Sequence, residues 1–280
     1  MNFDFSDEQK QMRDEARKFL AEKCPPKAVR EVLDGKAPYD KALWQGLAEM
    51  GFLGVAIPEA FGGAGAGHLE LCVIAEEMGR ANAPVPFSST VYLAAEALLL
   101  AGSDAQKQKW LPKIASGEAI GTLALFEGKG NPSPKAIKLQ ASGGTLSGVK
   151  KPVPDGAIAD FAVVAARTGS TGRDSDISLF VVDLKAGGVE AKSLTNVDPT
   201  RGQAELTFKN AKAEPLGAAG DGWSILTQVL DRAAVLLAFE QVGIFFVATY
   251  HCFLAQRRRC HQCSLYHVIL VLFSYRGPEG

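Results

Sequence analysis

The feature that most constrains this chain is a hydrophobic period that changes twice. Residues 1–118 carry apolar residues at helical spacing, and residues 119–215 break into short β-prone runs. Helical spacing returns after the glycine-rich stretch 217–222. The runs are Thr122–Phe126, Ile137–Gln140, Thr145–Val149, Phe161–Ala165, Ile177–Val182 and Ala204–Phe208. Turn residues separate them: Ser142-Gly143-Gly144, Pro154-Asp155-Gly156, residues 169–176 and Gly187-Gly188. The expected class is α+β, with a small all-β domain set between helical parts.

Local signals sharpen the helices. Ser6 with Gln9 three residues on forms a capping box, and Met12, Ala16, Phe19 and Leu20 then share a face. Leu43, Trp44, Leu47 and Met50 predict a helix over 40–50. Further helices are expected over about 69–80, over 89–101 with Gly102 as a C′ glycine, and from Ser103-Asp104 through Trp110. In the last helical part Trp223, Leu226, Leu230, Ala233 and Leu237 fall on one predicted face.

Composition removes some functions. A net charge of −1 lacks the basic surface that phosphate neutralisation needs, so no nucleic-acid partner is expected. Met1-Asn2-Phe3-Asp4 has no basic n-region and no apolar core, and only Cys24 and Cys72 precede residue 244. A cytoplasmic protein without a disulfide framework is the expectation.

Several motifs invite chemistry. The loop 61–67 is glycine-rich, but it lacks the Lys-Ser/Thr of a P-loop and the strand before a dinucleotide fingerprint, so it reads as a surface turn. Glu76 and Glu77 are adjacent, point to different faces of a helix and read as solvated charges; His68 reads as a surface residue. Cys260 and Cys263 form a lone CxxC, short of the ligand set of a zinc site, and no metal is expected. Residues 233–256 are apolar over nearly the ~20 residues of a membrane span, but Glu240 and Gln241 favour a buried bundle helix.

Usage shifts after Gly243. Residues 244–280 hold His251, His261, His267, Cys252, Cys260, Cys263, Tyr250, Tyr266 and Tyr275, and contain no Lys or Asp. The apolar run 268–273 is an aggregation hazard, and the whole segment reads as sequence joined from another reading frame.

Residues 1–243 resemble the acyl-CoA dehydrogenase family. The matching stretches include Phe3–Gln9, Met50–Gly54, Ile57-Pro58-Glu59, Phe61-Gly62-Gly63 and Glu76–Arg80. Trp110-Leu111-Pro112, Ser116-Gly117-Glu118, Asp198–Arg201 and Leu230–Ala233 follow in the family's order. The resemblance implies a helical N-terminal domain over 1–118 and a small β-barrel-like domain over 119–215. It makes 216–243 the first helix of a truncated C-terminal bundle, with a divergent tail over 244–280. It also implies bound FAD, an acyl-CoA substrate, an acceptor such as an electron-transfer flavoprotein, and a homo- or hetero-oligomer. The implied reaction is α,β-dehydrogenation of a thioester, which needs a desolvated carboxylate for the α-proton.

By the same resemblance, Leu123, Leu125 and Phe126 of one segment and Pro152, Val153 and Pro154 of another lie along the flavin. Phe126 stands where the family has a hydroxyl residue, and Pro152 and Pro154 replace its Trp and Thr. The base position on the first bundle helix corresponds to about Ala233, so no catalytic residue is assigned and impaired activity is expected. A non-catalytic subunit of a heteromeric dehydrogenase and a membrane-associated binding module are the alternatives.

Overall fold

The structure, a computed structural model, describes residues 5–257. Six helices come first: α1 Asp7–Lys23, α2 Pro26–Leu33, α3 Lys41–Glu49, α4 His68–Ala81, α5 Glu96–Ala101 and α6 Asp104–Ala115. Ser6 and Gln9 close the capping box of α1, and Ser103 and Gln106 close that of α6. Asp40 caps α3, whose Leu43, Trp44 and Leu47 are buried; Met50, just past its end, is exposed.

Before α5 the chain winds as a π-helix over Ser88–Ala95. Gly102 is not the left-handed cap that its position suggests, since its φ is −66°. A Cβ there would lie 3.3 Å from the Leu98 carbonyl carbon, so close approach explains the glycine.

Eight strands follow: β1 Gly121–Ala124, β2 Gln140–Ser142, β3 Thr145–Pro154, β4 Phe161–Arg167, β5 Ile177–Asp183, β6 Val189–Leu194, β7 Gln203–Lys212 and β8 Glu214–Leu216. They form one sheet in the order β6-β7-β3-β2-β4-β5-β8, with β1 parallel to β4. Leu146, Leu206 and Phe208 share a cluster with Val164, Phe180 and Val182, so the sheet curls over its own interior. Its other face, with Leu123, Phe161, Val163 and Leu179, packs on Trp110, Leu111, Leu226 and Val229 of the helices. The run predicted over 137–140 becomes a strand only from Gln140, because the Glu127 carboxylate takes the amides of Lys138 and Leu139 before any neighbouring strand can.

Helix α7, Gly222–Arg257, runs without interruption through Gly243, where residue usage changes. Its buried stripe is Leu226, Val229, Ala233, Leu236, Glu240 and Gly243, rotated from the predicted one so that Leu237 is exposed. Gly243 and Gly79 allow α7 and α4 to cross in backbone contact: a Cβ at Gly243 would sit 2.7 Å from the Arg80 amide nitrogen. The remainder of α7 is not the buried bundle helix expected. Only 22% of its apolar window is covered, and Val235, Val242, Phe245 and Phe246 are exposed. The CxxC pair and the apolar run 268–273 lie outside the described residues.

Candidate functional site

Beyond Ala124 the backbone of β1 continues alongside the end of β3. The Lys151 amide donates to the Phe126 carbonyl at 2.7 Å, and the Gly128 amide donates to the Lys151 carbonyl at 2.7 Å. These bonds bring together the two segments singled out from the sequence. The side chains divide between them. Leu123 and Leu125 are buried between sheet and helices, and Val153 lies inside the curled sheet, so these three offer only backbone to a ligand. Phe126 and Pro154 are half-buried and Pro152 is exposed, an apolar rim. The Thr122 hydroxyl donates to the Pro154 carbonyl at 2.5 Å, tying that end down.

Next to this rim is an open pocket of about 170 Å³ whose lining includes Phe126, Glu127, Lys129, Asn131, Ser133 and Lys138. Gly128 and Gly130 have φ of +128° and +111°, and a Cβ on either would meet nothing within 4 Å. Underneath, Lys150 is fully buried. Its ammonium donates to the Leu125 carbonyl at 3.1 Å and to Glu127 Oε1 at 2.6 Å. Burial brings its pKa down to about 8, outweighing the pull of Glu127.

A second polar cluster joins the helices, the sheet and α7. Tyr92 Oη donates to Glu240 Oε1 at 2.9 Å, and Arg201 donates to Glu240 Oε2 at 3.1 Å. The Ser89 hydroxyl donates to Asp155 Oδ2 at 2.6 Å. Burial raises the Asp155 carboxyl, while burial and then Glu240 push Tyr92 well above its usual range. Glu96 is bound by Arg232 and by His68, so His68 has a charged partner rather than a bare surface role. Glu77 is likewise no solvated charge: it is buried and held by Arg17 at 2.7 Å and Arg80 at 3.2 Å.

The glycine-rich loop spends its amides internally. Ala64, Gly65 and Ala66 donate to the carbonyls of Gly54, Ile57 and Val55, which makes it a packed turn and no phosphate cradle. Ala233 is buried in the helical core. Among the described residues, the buried carboxylates Glu96 and Glu240 are each committed to an arginine. Sequence reasoning passed over Lys150, Glu127, Asp155 and Arg201. A lysine two and four residues after Gly148 and Leu146, on the inward parity of β3, was the available signal.

Family models decide the relationship. The acyl-CoA dehydrogenase N-terminal domain matches residues 6–118, and the middle domain matches residues 129–211. The chain belongs to the acyl-CoA dehydrogenase family. It is 32% identical to the mitochondrial isovaleryl-CoA dehydrogenase of Solanum tuberosum over 251 residues, 86% of this chain and 61% of that one. It therefore spans about three fifths of that relative's length. Butyryl-CoA dehydrogenase from Megasphaera elsdenii superposes with a TM-score of 0.84 at 26% identity, covering 94% of this chain and 72% of the other. A chain in the structure of the electron transferring flavoprotein of Acidaminococcus fermentans gives 0.85 at 27%, covering 94% and 71%.

Acyl-CoA dehydrogenases use FAD. The residues lining the pocket suit such a group chemically: Lys129, Lys138, Asn131 and Ser133 offer cations and donors to phosphate oxygens around open glycine backbone. Backbone and the apolar side chains of Phe126 and Pro152 suit contact with a flat ring, with no hydroxyl at position 126.

Proposed function

We propose that this chain is the flavin-holding portion of an FAD-dependent acyl-CoA dehydrogenase, with its own dehydrogenation impaired. The observation that carries the reading is the pairing of 126–128 with Lys151 beside the cationic 126–138 pocket. When bound, FAD supplies the hydride acceptor for α,β-dehydrogenation of an acyl-CoA thioester.

The residues of this chain would do the rest. Leu123, Leu125 and Val153 would present backbone to the group, while Phe126, Pro152 and Pro154 would give its ring an apolar contact and exclude water from it. Lys129 and Lys138 balance the phosphate charge. Removing the α-proton requires a dry carboxylate that is free to face the substrate. Glu240 accepts from both Tyr92 and Arg201, Glu96 is paired with Arg232, and Ala233 has no titratable group. That is the physical reason for proposing impairment.

A non-catalytic subunit of a heteromeric dehydrogenase is the second reading. The exposed apolar residues of α7 favour it, because such a face is normally covered. An electron-transfer flavoprotein as acceptor, an acyl-CoA substrate, oligomerisation and cytoplasmic residence belong to the proposal.

The test is to purify the full chain, add FAD, remove excess and record the visible spectrum. A retained flavin band followed by slow or absent bleaching with butyryl-CoA and isovaleryl-CoA supports the proposal. No retained flavin refutes it for the isolated chain, and rapid bleaching refutes the impairment. Capture of an intact dehydrogenase chain with flavin would favour the second reading.

A further inference from the structure

We propose that Lys150 and Glu127 form a buried ionic clip that positions the 126–138 loop as a ligand cradle, a role that rests on the flavin reading above. Lys150 ranks with the largest fully buried side chains of the described residues. A buried ammonium is costly unless it is paired and fully hydrogen-bonded. It is placed on β3, the strand that leads into Lys151 and Pro152, and it reaches two points of the facing segment: the Leu125 carbonyl and the Glu127 carboxylate.

Glu127 then extends the connection. Its Oε1 accepts from both Lys150 and the Leu139 amide at 3.0 Å, and its Oε2 accepts from the Lys138 amide at 2.8 Å. One carboxylate therefore pins both ends of the pocket-lining loop, residue 127 at its start and residues 138–139 at its close. Between these pins, Gly128 and Gly130 hold positive-φ conformations that other residues rarely adopt. The other ties each act on one half of the loop: the Gly128 amide on the Lys151 carbonyl holds the start. Arg167 of β4 donates to the Pro134 and Ile137 carbonyls, at 2.5 and 3.0 Å, and Ser133 caps the short turn Pro134–Ala136. Both hold the closing half, whereas Glu127 joins that half to the start. Lys150 lies beneath the pocket, and Glu127 lines it with both carboxylate oxygens already engaged by Lys150 and the two loop amides. They are positioning residues that keep Lys129, Asn131, Ser133 and Lys138 around one volume.

The experiment uses the full-length chain and Glu127→Gln, which keeps the shape of the side chain but removes its charge. Hydrogen exchange is followed on peptides covering 126–139 in the absence of ligand, and FAD affinity is then measured by flavin fluorescence. The expected result is faster exchange confined to this loop and an affinity lowered about tenfold or more, the effect of losing a charge-assisted hydrogen bond.

Lys150→Met is the second variant, for the case that Glu127→Gln leaves an unpaired ammonium that the fold does not tolerate. It replaces the buried charge by an apolar chain of similar length and should fold, yet it frees Glu127 from β3. A merely structural clip would lower thermal stability while leaving the FAD affinity of the folded protein unchanged, and that result overturns the positioning role. Unchanged loop exchange in both variants overturns the clip itself. If wild-type chain takes up no FAD while the loop still loosens in the variants, the flavin reading fails and the clip stands.

Discussion

Adding one methyl group at Gly243 should unfasten α7. Alanine is the better helix former, by about 1 kcal/mol, so propensity alone makes Gly243→Ala stabilising. The crossing with α4 opposes this. The new Cβ would lie 2.7 Å from the Arg80 amide nitrogen and would also meet the Glu76 carbonyl, both of them backbone atoms of a helix. Ordinary contact begins near 3.4 Å, so α7 must retreat from α4 by at least 0.7 Å. Gly79 is the reciprocal case, since a Cβ there would lie 2.7 Å from Glu240 Cα, so the two helices have no softer side to lean on.

Overpacking of this kind costs about 1–3 kcal/mol, occasionally more. The retreat also stretches the bonds of Glu240 to Tyr92 and Arg201. Together these outweigh the propensity gain, leaving a net loss of about 2 kcal/mol. For a chain of this size that is a fall in Tm of roughly 4–8 °C, read by thermal circular dichroism. Ala234→Gly, on the exposed side of α7, is the control and should cost only about 1 kcal/mol. A Gly243→Ala protein as stable as wild type or more so would refute the close crossing.

Other outcomes follow from the polar clusters. Glu240→Leu should destabilise by about 3 kcal/mol, because it leaves the Arg201 guanidinium and the Tyr92 hydroxyl without their acceptor; Tyr92→Phe should cost only about 1 kcal/mol, since Glu240 keeps Arg201. Lys150 has a folded pKa of about 8 against an ordinary value of 10.5, so the unfolded chain binds more protons between these values. The cost of burying its charge is therefore complete below about pH 8 and gone above about pH 10.5. Wild type measured against Lys150→Met should gain about 3 kcal/mol of relative stability as pH rises across that window in urea titrations. A flat difference would sink the assignment. Replacing Phe245 and Phe246 on α7 by Ser should leave Tm within a few degrees while improving solubility or shifting the sedimentation profile to smaller species, as both rings are about half exposed.

Much of this architecture was legible in the residue pattern. Capping boxes at Ser6 and Ser103 place helix starts through local hydrogen bonds that need no partner element. Runs such as Phe161–Ala165 and Ile177–Val182 are apolar on both faces, which suits strands covered on both sides. The helical, β, helical order was likewise readable in the chain order. Tertiary structure decided what local patterns do not encode. Glu77 looks like half of a solvated pair until Arg17, sixty residues earlier in the chain, is brought to within 2.7 Å. The stripe of α7 is set by which residues meet α4, so Leu237 turns outward and Glu240 inward despite their polarity. Lys150 is buried because a curled sheet encloses its inward parity, and it is paired there only because the chain returns Glu127 to its side. Periodicity and caps act over a few residues and are written locally; burial, pairing and charge depend on neighbours far away in sequence, which only the folded chain supplies.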